Sequence, residues 1–376
     1  MNNKGYPLKA SEIVYKNIIK KIFFKIDPET VHNGMVKLGE QFGKSKIIRD
    51  AFSSQFKISD KNLEQKVAGI EFKNPIGLAA GFDYEAKMTQ MLPSLGFGFE
   101  TLGTITNLPF EGNPKPRMGR LPKSNAIMVN KGFKNFGAKA TDEKLQKLSF
   151  EIPLGISIGK SNVLECNTQA KSVRDIVSSF KIFENSKSKH AYYELNISCP
   201  NLKGNVSFYP LDNLKQLLIE IDKLHVRKPI FVKMPIDKTD KETLLMLSEI
   251  SKHNIKGVIF GNLQKIRDDS LFDRDELSKF KVGNFSGKPT FERSNHLVKL
   301  AYKKFKKRFV IIGCGGVFNA KDAYTKIKLV ASLVQIITGM IFEGPQLAAQ
   351  INLELIELLK KDGFRNISEA IGADNK

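Results

Sequence analysis

Residues 192–224 read YYELNISCPNLKGNVSFYPLDNLKQLLIEIDKL, and this stretch decides the fold. It opens on a short run, 192–197, of the kind that suits a buried parallel strand. An aperiodic connection, 201–210, follows the loop after it. Leu214, Leu217, Leu218, Ile221 and Leu224 then recur on one helical face, with Asp212 placed as N-cap. The same strand-then-helix unit repeats from Pro75 onward. Strands are predicted over 76–80, 99–103, 154–158, 192–197, 230–234, 257–260, 309–313 and 332–337. Between them, Val173, Ile176, Val177 and Phe180 mark another helical face, and Thr239 with Glu242 makes a capping box before residues 244–250. Pro345 opens the last helix and Gly363 closes it. Eight such units predict an α/β protein, a (β/α)8 TIM barrel with a short helical N-terminal extension. A doubly wound open sheet is the alternative, but it rarely needs eight units.

The chain has 376 residues, 41% hydrophobic and 26% charged, which are ordinary globular values that exclude collagenous, coiled-coil and wholly disordered classes. Three cysteines, Cys166, Cys199 and Cys314, make no disulfide framework and favour a reducing, cytosol-facing compartment. The longest apolar stretch, 330–342, is interrupted by Gln335, Thr338 and Gly339, so no membrane-spanning helix is expected. No secretory signal is expected either. The net charge of +21 would attract phosphates, nucleic acid or anionic lipid. Lysine is abundant everywhere, however, and a scatter of solvated lysines accounts for the charge more simply.

The first residues differ from the rest. Lys4, Lys9, Lys16, Lys20, Lys21 and Lys25 face a single acid, Glu12. Val14, Ile18 and Ile22, and beside them Tyr15, Ile19 and Phe23, recur every four residues, which predicts an amphipathic basic helix. Asp27-Pro28 separates it from a second helix carrying Val31, Met35, Leu38 and Phe42. Such a pair either packs on the barrel or lies on a membrane surface. Residues 1–45 are set apart as this extension and 46–376 as the barrel domain.

Chemistry should sit at the strand ends, because barrel active sites lie at the C-terminal face. The long connections 104–131, 201–210 and 262–289 all leave from that face, and loops of such length are usually functional. Gly313-Cys314-Gly315-Gly316 and Thr338-Gly339 close strands seven and eight, a pattern that suggests a phosphate site. Lys233 ends the apolar run Ile230-Phe231-Val232, so it needs an anionic partner or is reactive, as a Schiff-base amine or as a charge beside a cofactor. Cys199 lies on a loop flanked by Asn196 and Asn201, which argues for a polar pocket, whereas Cys166 and Cys314 read as packing. The five histidines have no ligand spacing, so no metal site is expected. No Walker loop or nucleotide-type glycine fingerprint is present.

At these residues the chain resembles dihydroorotate dehydrogenase over nearly its whole length. Phe24-Lys25-Ile26-Asp27-Pro28-Glu29, the stretch Asn74 to Asp83, Pro116-Arg117 with Arg120-Leu121-Pro122, and Gly132-Phe133 with Asn135 are similar to the membrane-associated, quinone-using class 2. Asn196-Ile197-Ser198-Cys199-Pro200-Asn201 resembles the family's substrate loop, and Gly315-Gly316 with Ser332-Leu333-Val334-Gln335 resembles its flavin end. The resemblance implies FMN as cofactor and oxidation of dihydroorotate to orotate in pyrimidine synthesis. It places Cys199 as the catalytic base. Asn130, Asn196, Asn201, Asn262 and Tyr84 fall at substrate-binding positions. Ala80, Gly81, Thr104, Ser157, Gly261, Gly287, Gly315, Gly316, Ile337 and Thr338 fall around FMN, with Lys233 by the flavin's N1–C2 edge. Residues 201–210 correspond to a lid. A quinone would reach the flavin between the N-terminal helices, and the protein would sit peripherally on the cytoplasmic side of an anionic cell membrane.

Several positions depart from the family pattern. Class 2 has serine where this chain has Cys199, the habit of the soluble class 1. The family's lysine after Gly-Phe-Asp is Tyr84; its asparagine before Gly-Phe is Val129, with Asn130 beside it; its third-strand asparagine is Ser157; and its Asn-Thr pair is Asn262-Leu263. The alternatives are a soluble acceptor such as fumarate or NAD, an FMN barrel acting on uracil bases in tRNA, a Schiff-base aldolase, and a non-enzymatic basic barrel. A nucleic-acid partner is disfavoured because no separate RNA-binding domain follows the barrel.

Overall fold

The structure, a computed structural model, describes residues 4–199, 201–202 and 206–375. Eight parallel strands close into a barrel: Ile76–Leu78, Phe99–Ile105, Leu154–Ile158, Tyr192–Asn196, Ile230–Met234, Gly257–Phe260, Val310–Cys314 and Leu333–Ile336. Each neighbours the next in chain order, and the eighth pairs with the first through Gln335↔Gly77. The predicted strands all form, within two residues of their expected ends. Their outward side chains, such as Leu102, Ile156, Leu195, Val232 and Val258, pack under the surrounding helices. Helix Asp240–Ile250 starts at the capping box, with Thr239 and Glu242 satisfying each other's backbone N–H. Helix Leu347–Asp362 stops where Gly363 turns left-handed at φ +79°.

Three expectations are corrected. The helix after the fourth strand, Leu211–Asp222, has Pro210 at its N-cap, and Asp212 sits inside its first turn. Pro345 lies ahead of the last helix, whose cap is Gln346. The connections 104–131 and 262–289 are not irregular. Met118–Leu121, Ala126–Val129 and Asn284–Gly287 form a three-stranded antiparallel sheet over the mouth, with Ala126–Val129 in the centre. At the opposite end a hairpin, Gln65–Val67 with Ile70–Phe72, plugs the barrel: Val67 and Phe72 pack with Phe99, Tyr192 and Phe231.

Residues 5–23 make one continuous helix with a π turn at Tyr15–Ile19. Leu8 and Tyr15 face the barrel, and the Tyr15 hydroxyl donates to the Ile341 carbonyl at 2.7 Å. Burying a side chain such as Leu8 contributes about 1.5–3 kcal/mol, so this helix is docked. Its other face is bare: Tyr6 is 78% exposed, Ile18 56% and Ile22 55%. The basic face is thinner than the sequence suggests, because Lys16 is drawn to Glu12 and Glu343 and Lys4 reaches the Lys57 carbonyl. The second helix, Pro28–Lys44, is capped by Asp27, which accepts from the Thr30 N–H at 2.8 Å. It buries His32, Val36, Gly39 and Gly43 rather than the expected stripe, and Leu38 is exposed. Helix Lys46–Phe56 follows directly after Ser45.

Candidate active site

Along a barrel strand alternate side chains point inward. Above the aromatic plug lies a polar layer. Gln335 Nε2 donates to Thr101 Oγ1 at 2.8 Å, which shares a 2.7 Å hydrogen bond with the Tyr192 hydroxyl. Ser157 Oγ donates to Glu194 Oε1 at 2.7 Å, and the Lys233 ammonium lies 3.7 Å from the same oxygen. Thr104 Oγ1 shares a 2.9 Å bond with Ser157 Oγ and accepts from Asn196 Nδ2 at 2.8 Å. Lys233 therefore has the anionic partner its position demanded. Gln335 was already part of the motif at the flavin end, whereas Glu194 has no special context inside its run; the alternation Tyr192, Glu194, Asn196 is the sequence signal that finds it.

The next layer up is the floor of a cleft with about 1220 Å³ of empty space, its open mouth included. Of the residues expected to bind cofactor, all but Ser157 line the cleft; of those expected at the substrate, all but Asn130 do. Ser157 lies one layer below. Asn130 is outside, and its Oδ1 accepts from Asn113 Nδ2 at 3.2 Å. Cys314, expected to be packing alone, lines the cleft, and so do Lys131 and His32, which have no distinguishing context in so lysine-rich a sequence.

The loop after the fourth strand is held from several sides. Asn262 Nδ2 donates to Ser198 Oγ, which donates to Asn196 Oδ1 at 3.2 Å. Asn201 Nδ2 donates to the Val129 carbonyl at 2.9 Å, Asn284 Nδ2 donates to Asn201 Oδ1 at 2.6 Å, and Asn113 Nδ2 donates to the Asn201 carbonyl at 2.9 Å. The roof sheet and this loop are thus one hydrogen-bonded unit. Pro200 lies outside the described residues, as do residues 203–205 of the segment expected as a lid. Burial pushes the Cys199 thiol up to about 12, against the smaller opposing pull of the Asn201 backbone and of Lys233, Lys265 and Lys160. The group at this position is a thiol at neutral pH.

The glycines show what the cleft accepts. At Gly316, φ +72°, a Cβ would fall 2.4 Å from the Cβ of Phe291; at Gly261, φ +133°, it would fall 2.2 Å from the Cys314 carbonyl oxygen. At Gly81, φ +114°, the nearest heavy atom would be Ile337 Cδ1 at 3.7 Å, so its backbone opens onto the cleft. Bare backbone beside Thr338 and Lys233, over a layer in which Glu194 Oε2 and Gln335 Oε1 find no partner among the described residues, fits a flat polar ring with an anionic tail. On the other side, Phe82, Met118, Ile341 and His32 carry the cleft toward the N-terminal helices. His32 meets Phe82 edge-on at 4.9 Å and stacks on Tyr84 at 5.8 Å.

A closed (β/α)8 barrel with glycine-lined strand ends, a buried ionic layer and a roofed cleft defines a barrel enzyme whose chemistry occurs at the C-terminal mouth. The profile of the family described as dihydroorotate dehydrogenase matches residues 62–359. The chain is 35% identical to dihydroorotate dehydrogenase (quinone) of Trichodesmium erythraeum, covering 96% of this chain and 99% of that one. It is 36% identical to the protein of the same name from Christiangramia forsetii, covering 92% and 99%. The crystal structure of DHODH from Eimeria tenella in complex with ferulenol superimposes with a TM-score of 0.82 at 30% identity, covering 93% of this chain and 96% of that one. The chain belongs to the dihydroorotate dehydrogenase family.

Proposed function

We infer that this protein is a quinone-dependent dihydroorotate dehydrogenase: it oxidises (S)-dihydroorotate to orotate in pyrimidine synthesis and passes the electrons to a quinone. The observation that carries the reading is the convergence of Cys199, Asn196, Asn201 and Asn262 above the Lys233–Glu194 pair in one cleft. The glycine-lined backbone at Gly81, Gly261, Gly287, Gly315 and Gly316, with Thr338, would hold FMN, which when bound would supply the hydride acceptor. Cys199 takes the proton from the neighbouring ring carbon, which requires its thiolate. The asparagines hold the amide edges of the ring, and a ligand lacking those groups leaves them unpaired. Lys233, paired with Glu194 at the base of the cleft, would set positive charge beside the bound cofactor. The decisive experiment is the visible spectrum of the purified protein before and after anaerobic dihydroorotate. Flavin absorption that bleaches is the expected result; flavin that ignores dihydroorotate overturns the substrate.

Among the described residues no helix is long and apolar enough to cross a membrane. Residues 1–45 form the membrane-facing part in this reading. Ile13, Val14, Ile18 and Ile22 project from one face beside the exposed Lys21 and Lys25, suited to an anionic lipid surface on the cytoplasmic side. The double substitution Ile18→Glu/Ile22→Glu should lower binding to phosphatidylglycerol vesicles, and turnover with a long-chain quinone, at least tenfold, since each apolar side chain is worth about 1.5–3 kcal/mol when buried. Dihydroorotate-driven flavin reduction should be unchanged. Vesicle binding equal to that of the parent protein would remove this surface from the proposal.

A further inference from the structure

The cleft holds a second buried ammonium with no counter-charge. Lys131 is 7% exposed and lines the cleft. Among the described residues no carboxylate lies within ion-pair distance of it. The two nearest acids are engaged elsewhere: Glu29 by Arg117 at 3.2 Å, and Glu85 by Lys87. What Lys131 does have is Tyr84. Its Nζ donates to the Tyr84 hydroxyl at 3.2 Å and lies 4.5 Å from the ring centroid, and the ring is backed by His32. A cation taken out of water without a carboxylate is costly unless a ligand completes it.

The backbone at Lys131 is tied to the loop after the fourth strand. Two residues earlier, the Val129 carbonyl accepts from Asn201 Nδ2. The Lys131 carbonyl accepts from the Asn113 N–H at 3.2 Å, while Asn113 also donates to the Asn201 carbonyl. Lys233 is occupied by Glu194. Resting on the dihydroorotate reading, we propose that Lys131 is the group that binds the substrate's carboxylate, with Tyr84 as the platform that orients its ammonium.

Burial holds the Lys131 amine down at about 7, with Glu29 and Glu85 opposing and Lys134 and Arg117 reinforcing that shift; the neighbouring His32 is kept neutral by its own burial. A bound carboxylate favours the charged amine, so affinity for the anion should fall as pH rises above about 7.

The test is orotate binding to the flavin-loaded protein, read from the perturbed flavin spectrum between pH 6 and 8.5, with uracil, the same ring lacking the carboxylate, as a competitor. Lys131→Met should weaken orotate about 10–100-fold, as loss of a hydrogen bond between charged groups does, leave uracil competition unchanged, and flatten the pH dependence; Lys131→Arg should restore part of the loss. Unchanged orotate affinity in Lys131→Met overturns the proposal while leaving the enzyme reading intact. Parent protein that holds flavin but does not respond to orotate overturns the substrate reading and this proposal with it. Should Lys131→Met fail to hold flavin, the parent's pH series and Lys131→Arg decide: affinity that does not fall above pH 7 refutes the role.

Discussion

Cys199→Ala should retain its flavin and lose about 10²–10⁴-fold in the rate of flavin reduction by dihydroorotate, the range associated with a positioned general base. Stopped-flow absorbance under anaerobic conditions measures it directly. Because burial pushes the thiol up to about 12, almost none is ionised at neutral pH. The parent rate should therefore climb about tenfold per pH unit from pH 6 to 9 without levelling, since the base form grows in that proportion below its pKa. A plateau beginning near pH 7 would mean that substrate binding redistributes the local charge far more than burial alone allows. Cys199→Ala reducing flavin at the parent rate would remove Cys199 from the mechanism altogether.

The second large effect concerns the ionic layer. The side chains of Lys233 and Glu194 are 5% and 0% exposed. Lys233→Met leaves the carboxylate without its cation in a dry barrel, and breaking a buried pair in that way costs about 3–5 kcal/mol. Urea unfolding should show that loss, together with a reduced flavin content. Lys233→Met/Glu194→Gln should regain most of the stability, because a neutral amide still accepts from Ser157 and no buried charge remains. It should not regain the rate of flavin reduction. Equal stability of single and double variants would show that the pair is not coupled.

The barrel was legible because its strands are apolar runs bounded by glycine, proline and polar ends. Ile230–Met234 and Val310–Cys314 stand out on hydrophobicity. The same apolar reading concealed Glu194, which looks like an exception until the two-residue alternation is applied. The roof strands were illegible for another reason. Each is four residues long, and Asn284–Gly287 pairs with Ala126–Val129 far away in sequence, so no local pattern announces the sheet. That Cys199, Asn196, Asn201 and Asn262 line one cleft was legible from their loop context and the family motif. Lys131 was not, because one lysine among 60 Lys and Arg carries no mark of burial. Only the fold distinguishes it.

The roof sheet has two tenants. On one side Arg117 grips Glu29 and Arg120 Nη1 donates to the Ile26 carbonyl at 2.7 Å, at the start of the second N-terminal helix. On the other side Val129 and Asn284 hold Asn201. A single party wall thus supports both the loop beside Cys199 and the start of the second N-terminal helix, so neither side can be remodelled without the other feeling the change.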